Sequence, residues 1–151
     1  MHKKKLLRKI FPRVLPYLSF PFELSDFLKG RGRRTKDPAE QKIEKIIRRW
    51  IFKKKLHNIF YNEGKFLHDL IVKHQLKNGL EIGTADGYSS LWIARAMRKT
   101  KGKLTTIEID EKTWKDAIEN FKKAGLQDII EAKCADAFDA IPSLEENFDF
   151  V

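Results

Sequence analysis

Cysteine is nearly absent from this 151-residue sequence: Cys134 is the only one, so no internal disulfide can form and a reducing compartment is expected. Long apolar runs are absent too. The longest uncharged stretch near the start, Val14 to Phe22, has nine residues and includes two prolines, whereas a membrane-spanning helix needs about 20 apolar residues. Basic residues interrupt the first apolar stretch and no small-residue cleavage site follows, which argues against a signal peptide. We expect a cytoplasmic protein.

The patterns typical of metal sites are also missing. The four histidines form no H-E-x-x-H motif and no Cys/His cluster, so no metal site is expected within this chain. Cys134 has no histidine near it in the sequence. We interpret it as a small buried side chain rather than a nucleophile.

Negative charge is scarce in the first third of the chain. Residues 1–55 contain 18 Lys and Arg but only five Asp and Glu, while residues 56–151 contain 13 and 16. The net charge of +10 therefore belongs to the N-terminal part. Such an asymmetry indicates a segment that meets an acidic partner.

Residues 1–36 form a basic arm that prolines interrupt and that ends in the linker KGRGRRTKD. Two interpretations stay open. Its aromatic side chains and lysines fit an interfacial anchor on an anionic surface, which would mean peripheral membrane association. Alternatively, the arm packs on its own domain or on a second subunit.

Residues 37–75 are predicted to be helical. Asp37 is a suitable cap, Pro38 suits the first helical position, and Glu40 completes a capping box. One apolar stripe follows, formed by Ile43, Ile46, Ile47, Trp50 and Ile51. A second helix is predicted from Glu63 to His74, with an inward face formed by Phe66, Leu67, Leu70 and Ile71. The basic residues between these stripes fit either a nucleic-acid or lipid surface or a solvated helix face.

Residues 76–151 alternate between predicted strands and helices. The predicted strands are GLEIG, Lys103 to Ile109, IIEAKC and FDFV. The predicted helices are Tyr88 to Lys99, Glu111 to Ala124 and a short turn from Phe138 to Ile141 that Pro142 ends. This alternation predicts an α/β fold, a Rossmann-like parallel sheet with flanking helices, preceded by the basic helical N-terminal region.

The first predicted strand runs into the glycine turn LEIGTADGYSS, Leu80 to Ser90, at the edge where such sheets bind ligands. A dinucleotide fingerprint, G-x-G-x-x-G, laid from Gly83 places Ala85 and Tyr88 at its second and third glycine positions. The Tyr88 side chain would prevent the close helix packing that the third glycine allows. A dinucleotide such as NAD is therefore disfavoured.

Two carboxylates indicate a different nucleotide. Glu108 ends the second predicted strand, 21 residues after Gly87, where it could accept hydrogen bonds from both ribose hydroxyls. Glu81 ends the first strand and suits a cationic amino group. An amino-acid ammonium together with a ribose describes S-adenosylmethionine.

The segments LEIGTADGYSSLWIA, TIEID, CADAFDAIP and FDFV, in this order and spacing, resemble the class I S-adenosylmethionine-dependent methyltransferases. Within that class they are similar to the O-methyltransferases of the catechol and caffeoyl-coenzyme A type. The resemblance covers about residues 63–151 and leaves out the basic arm. It implies transfer of a methyl group from S-adenosylmethionine to a hydroxyl oxygen of a small molecule.

The resemblance also implies the cofactor contacts at the methionine end. Glu81, Gly83 and Thr84 would line it, and Tyr88 would pack beside the cofactor. Ser89, with the first turn of its helix, would hold the methionine carboxylate, because free helical N–H groups favour an anion.

The remaining implied contacts lie at the nucleoside end. Glu108 would hold the ribose, while Asp136 and Ala137 would flank the adenine, with Asp136 accepting from its amino group.

The family's sheet has seven strands, and this sequence reaches only the start of the fourth. We therefore expect an N-terminal fragment, with the catalytic residues and the acid that binds a divalent cation such as Mg in some members beyond Val151. Members of the family often form homodimers, which the resemblance implies as one option here. Two alternative functions stay open: a non-enzymatic remnant or basic module that binds nucleic acid or membranes, and an NAD-dependent oxidoreductase.

Overall fold

The computed structural model of the protein describes residues 36–51 and 59–151, without the side chains of residues 48–51. The predictions for the basic arm, apart from Lys36, and for the side chains of Trp50 and Ile51 lie outside the described residues. No helix in the two described ranges combines the length and the apolar character needed to cross a membrane.

Helix α1 spans Pro38–Ile51 and begins as its sequence predicts. The Asp37 carboxylate accepts a hydrogen bond from the backbone N–H of Ala39 at 2.9 Å, so it caps the helix. Ile43 and Ile47 are buried, and they place one face of α1 in the core.

Helix α2 spans Tyr61–His74, two residues earlier at its start than predicted. The Glu63 carboxylate accepts from the Phe60 N–H at 2.7 Å and stabilises this earlier start. The prediction that Phe66 and Leu70 face inward is wrong, because their exposed fractions are 45% and 38%. Ile71 is buried as predicted and Leu67 packs against the core, and the buried face of α2 also contains Gly64.

Gly64 explains this rotation of α2. A Cβ atom at this position would lie 2.3 Å from Cδ1 of Trp92, so the missing side chain lets the indole ring approach the helix backbone. Hydrophobic periodicity cannot reveal such a contact, because a glycine adds nothing to an apolar stripe.

The remaining elements alternate as expected for an α/β fold. They are β1 (Asn78–Ile82), α3 (Tyr88–Thr100), β2 (Lys103–Glu108), α4 (Glu111–Ala124), β3 (Ile130–Cys134), α5 (Ala137–Ala140) and a 3-10 turn at Ile141–Ser143. Pro142 does not end the short helical segment as predicted, because it lies in the first positions of this 3-10 turn, where a proline is tolerated.

The three strands form a parallel sheet in the order β1-β2-β3. On the free side of β1, Phe150 forms one parallel bridge to Gly79, and the Leu80 N–H donates to the Phe150 carbonyl at 3.1 Å. The stretch predicted as a fourth strand therefore lies beside β1. Strands β2 and β3 lie on one side of β1, and the later stretch at Phe150 lies on its other side. Folds of this kind bind ligands at the carboxyl end of the strand where the strand order reverses in this way.

Helix α3 lies at the centre of the hydrophobic core. Leu91, Trp92 and Met97 are buried against residues of α1, α2 and the sheet. Arg95 of α3 joins it to α1, because its guanidinium donates to the carboxylates of Glu40 and Glu44. These contacts hold α3 against α1, α2 and the sheet.

Candidate cofactor-binding site

The turn after β1 is anchored to the neighbouring strand. The backbone N–H groups of Gly83 and Thr84 both donate to the Ile107 carbonyl, at 2.9 and 3.2 Å. Gly83 has φ +89°, a conformation that favours glycine. A Cβ atom there would meet nothing within 4 Å. The backbone at Gly83 is therefore open to close approach by a ligand.

Gly87 has a different task, although its φ of +87° is similar. A Cβ atom at Gly87 would lie 2.4 Å from Cε1 of Phe121 on α4. Its role is close packing of the start of α3 against α4. Gly87, one residue before Tyr88, thus allows close contact between two helices, which differs from the helix–strand packing of the third fingerprint glycine.

Glu108, at the end of β2, connects two loops. Its Oε2 accepts from the Ala85 N–H at 2.8 Å and its Oε1 accepts from the Asp110 N–H at 3.0 Å. An ionised carboxylate has about four acceptor positions, so two remain for a ligand. The carboxylate is thereby held in a fixed orientation beside the turn at Gly83.

Glu81, near the end of β1, is a partly buried carboxylate surrounded by hydroxyl groups. Its two oxygens accept from Ser89 Oγ at 2.5 Å, from Ser90 Oγ, and from Thr106 Oγ1 at 2.7 Å. Burial raises the pKa of Glu81, and the three hydroxyl hydrogen bonds oppose that rise in pKa. Thr84 belongs to the same cluster, since its hydroxyl and that of Thr106 are 2.7 Å apart.

The side chains of Tyr88 and Ser89 are already engaged within the protein. Tyr88 is only 4% exposed and lies in the core, where burial raises the pKa of its phenol and the nearby Glu44 carboxylate adds to the rise. The Ser89 hydroxyl donates to Glu81. Helix α3 has no acidic residue in its first turn and Gly87 supplies no side-chain cap, so its first N–H groups remain suited to an anion.

Asp136 follows β3 and caps the short helix α5 through a 2.8 Å hydrogen bond from the Phe138 N–H. Ala137 is the first residue of that helix. The Ala135 N–H donates to the Glu108 carbonyl at 2.9 Å, which holds this segment beside the end of β2. The structure thus brings Glu81, Gly83, Glu108 and Asp136 to one edge of the sheet.

Exposed apolar side chains that the sequence patterns do not predict as part of the site share this edge. Ile109 is 67% exposed and Phe138 is 58% exposed, each following the end of a strand. For Ile109, its position directly after the strand-end carboxylate Glu108 is a sequence signal that could identify it. Ser90 and Thr106 were also missed, because their importance depends on contact with Glu81 across elements.

Cys134 corrects another prediction. It was expected to be buried, but its side chain is exposed at the end of β3, in register with Glu108. The last residue of an edge strand projects beyond the helices that cover the sheet. Within residues 36–51 and 59–151, no group of three or more His, Cys, Asp or Glu side chains could hold a metal ion.

The O-methyltransferase family model matches residues 35–151, and the chain belongs to this family. Catechol O-methyltransferase from Niastella koreensis is 44% identical over 85 residues, which are 56% of this chain and 38% of that protein. The chain thus spans about two fifths of the length of the curated relatives it matches.

Solved structures agree with this assignment. The O-methyltransferase TomG from Streptomyces achromogenes, in complex with SAM, is 31% identical with a TM-score of 0.63, over 83% of this chain and 56% of that one. The O-methyltransferase from Bacillus cereus, in complex with SAH, is 29% identical with a TM-score of 0.64, over 83% of this chain and 57% of that one. The predicted Rossmann-like methyltransferase fold is confirmed.

Proposed function

We propose that this chain binds S-adenosylmethionine and serves an enzyme that transfers the cofactor's methyl group to a hydroxyl oxygen of a small molecule. The observation that carries this proposal is the Glu108 carboxylate. It is oriented by the Ala85 and Asp110 N–H groups and retains acceptor positions for a pair of ribose hydroxyls. Membership of the O-methyltransferase family supports the reaction type.

The other parts of the site fit the same ligand. The open backbone at Gly83 allows close approach, and the N–H groups at the start of α3 suit the methionine carboxylate. Glu81 suits the ammonium group. Asp136 and the exposed apolar side chains of Ile109 and Phe138 suit the adenine, which has a polar edge and apolar faces.

The cofactor supplies an electrophilic methyl group when it is bound. The residues of this chain bind and orient it, and they exclude water from one side of the site. The acceptor hydroxyl, the group that removes its proton and any divalent cation are proposed to be held by residues other than these cofactor contacts. In the part of the chain that the structure describes, no group of three or more His, Cys, Asp or Glu side chains could hold a metal ion. No step through a metal follows from these residues.

Calorimetric titration of the full chain with S-adenosylmethionine tests the proposal. Saturable binding is expected, and Glu108→Ala is expected to weaken it about 100-fold, since hydrogen bonds to a charged group contribute roughly 1.5–3 kcal/mol each. Glu131→Ala is a matched control, because this exposed glutamate of β3 pairs only with Lys133 in the described part of the chain. Equal binding by Glu108→Ala and Glu131→Ala would contradict the ribose assignment. NAD binding without S-adenosylmethionine binding would favour an oxidoreductase.

The basic arm supports a second, separate proposal: it contacts an anionic surface and gives a cytoplasmic protein peripheral membrane association. The excess of 11 basic over two acidic residues in residues 1–36 supports it. Salt-sensitive binding of the full chain to phosphatidylserine vesicles is expected, with loss on deletion of residues 1–36. The deletion must spare α1, because Ile43 and Ile47 belong to the core. Undiminished vesicle binding after the deletion would exclude the arm as the contact.

Subunit pairing is a further proposal that rests on the family alone. A homodimer is expected, and sedimentation equilibrium of the full chain distinguishes it from a monomer.

A further inference from the structure

Three hydroxyl groups from two elements converge on the carboxylate of Glu81. Ser89 and Ser90 belong to the first turn of α3, and Thr106 belongs to β2. The Ser89 hydroxyl donates to Oε1, while those of Ser90 and Thr106 both donate to Oε2. Ser90 and Thr106 are themselves fully buried, at 0% exposure. We refer to Glu81 and these three side chains as the hydroxyl cluster.

The donors of this cluster leave the carboxylate only partly satisfied. Of the roughly four acceptor positions of a carboxylate, the cluster fills three, and the open one is on Oε1. No basic side chain within the described ranges contributes to the pKa of Glu81, which is governed by burial and by the three hydroxyls. A partly buried carboxylate with neutral donors and one open position favours a cationic hydrogen-bond donor as its missing partner.

We propose that Ser90 and Thr106 are positioning residues that orient Glu81 so that its open position on Oε1 meets the ammonium group of the cofactor. This inference rests on the proposed function. Both hydroxyls occupy Oε2, so they direct Oε1 toward the free side. They also tie the start of α3 to β2, which keeps the anion-binding N–H groups and Glu81 at a fixed separation.

The inference has a pH signature, because the hydroxyl bonds stabilise the ionised carboxylate. Other titratable groups lie on the elements packed around Glu81, and none of them contributes to its shift: Glu108 and Lys103 on β2, Tyr88, Arg95, Arg98 and Lys99 on α3, and Asp149 beside β1. Burial raises the pKa of Glu81, so cofactor affinity should fall as the pH decreases through that pKa. Loss of a hydroxyl donor should raise the pKa of Glu81 further, so that cofactor affinity begins to fall at a higher pH.

The test is a calorimetric titration of the full chain with S-adenosylmethionine across the pH range in which the wild type loses affinity. On the acidic side of the wild-type midpoint, Ser90→Ala and Thr106→Val are expected to bind about tenfold more weakly than wild type, since one hydrogen bond to a charge corresponds to roughly one pH unit. On the alkaline side the difference should shrink to about threefold or less. Ser90→Thr keeps the hydroxyl and should restore the wild-type profile.

Thr105→Val is the matched control for Thr106→Val. Thr105 is a buried neighbour on the same strand, and alternation places its side chain on the opposite face of the sheet. Thr105→Val should leave the pH midpoint of cofactor binding unchanged. A loss of affinity that is equal at every pH, or a midpoint unmoved in both Ser90→Ala and Thr106→Val, would overturn the positioning role.

Carbon-13 NMR titration of the Glu81 carboxyl in the unliganded chain separates the two proposals. A pKa that rises in Ser90→Ala, together with no cofactor binding by wild type at any pH, would overturn the proposed function and with it the cofactor role of the cluster. A pKa that does not move, with normal wild-type binding, would overturn only the inference about Ser90 and Thr106.

Discussion

The backbone N–H of Ala85 donates to Oε2 of Glu108 at 2.8 Å, so the turn that follows β1 is held by the carboxylate that ends β2. Ala85 has φ +48°, which is unusual for a residue other than glycine. The hydrogen bond that Ala85 donates to Glu108 is one interaction that compensates this conformation. The same carboxylate therefore shapes the turn and faces the proposed ribose.

Glu108→Gln tests the structural half of this relationship. A glutamine side chain has one oxygen that accepts hydrogen bonds and one NH2 group that does not. Because Ala85 and Asp110 donate to different oxygens of Glu108, one of their N–H groups loses its acceptor. Because both sites are accessible to water, we expect a loss of about 1 kcal/mol in the free energy of unfolding, measured with urea. Glu131→Gln, at an exposed position of β3, should change it by less than about 0.5 kcal/mol. A Glu108→Gln variant as stable as that control would show that the turn does not depend on the carboxylate.

The two glycines of the turn should respond differently to alanine. Gly83→Ala meets no atom within 4 Å, so it should cost only the roughly 1–2 kcal/mol of the left-handed backbone conformation. Gly87→Ala adds a collision with Phe121, at 2.4 Å. It should cost a further 1–3 kcal/mol or so for overpacking.

Urea unfolding of the two variants and of Gly87→Ala/Phe121→Leu measures this difference. The double variant should recover part of the stability, because the smaller side chain leaves room for the new methyl group. Cofactor binding should follow the opposite order: Gly83→Ala should weaken it more than Gly87→Ala, because its methyl group occupies the open side of the turn. Equal stabilities of the two single variants would contradict the assignment of Gly87 to packing.

Arg95 is expected to be the strongest single polar contact between α1 and α3. Its Nε donates to Glu40 at 2.8 Å, and its guanidinium lies 5.5 Å from the ring centre of Trp92. Arg95→Met would leave the Glu40 carboxylate, whose side chain is only 9% exposed, with Arg98 at 3.7 Å. We expect a loss of about 3 kcal/mol in the free energy of unfolding.

Two further variants test whether this loss of stability comes from the unpaired Glu40 carboxylate. Glu40→Gln/Arg95→Met should recover much of the loss, because no buried charge remains. Lys65→Met removes an exposed ion pair with Asp69 and should change stability by less than about 0.5 kcal/mol. An Arg95→Met variant that loses no more stability than Lys65→Met would show that the Arg95 contacts between α1 and α3 stabilise the fold no more than an exposed ion pair does.

The sequence was sufficient to predict the fold because its signals were local. Alternating strand and helix patterns, the Asp37 cap and the turn glycines each depend on neighbouring residues. The carboxylates Glu81 and Glu108 were also identifiable, since a parallel sheet brings strand ends to one edge. Their positions follow from topology rather than from side-chain packing.

The errors arose where contacts between distant elements decide the outcome. Phe66 and Leu70 were placed inward because they extend an apolar stripe, yet Gly64 turns another face of α2 toward Trp92. Cys134 was expected to be buried because of its chemistry, but it lies at an exposed strand end. The sequence also does not show that Ser90 shares the role of Ser89. Both hydroxyls donate hydrogen bonds to the Glu81 carboxylate, and this contact is visible only in the fold.

Glu81→Gln should reveal a conflict between stability and the proposed function. Burial raises the pKa of Glu81 above its value in the unfolded chain. Between these two pKa values the folded state binds more protons than the unfolded state, so stability falls as the pH rises through that interval and stays lower above it. Glutamine does not titrate and should escape this loss. The variant should therefore melt above wild type near neutral pH.

Thermal unfolding of both proteins over a series of pH values checks this expectation. The difference in melting temperature should narrow as the pH falls below the raised pKa of folded Glu81, because wild-type Glu81 is then increasingly protonated in the folded state. A gap that is the same at every pH would mean that Glu81 does not titrate within the folded protein. Weaker S-adenosylmethionine binding by the more stable variant is expected alongside, because the open position on Oε1 would no longer carry a charge for the ammonium group.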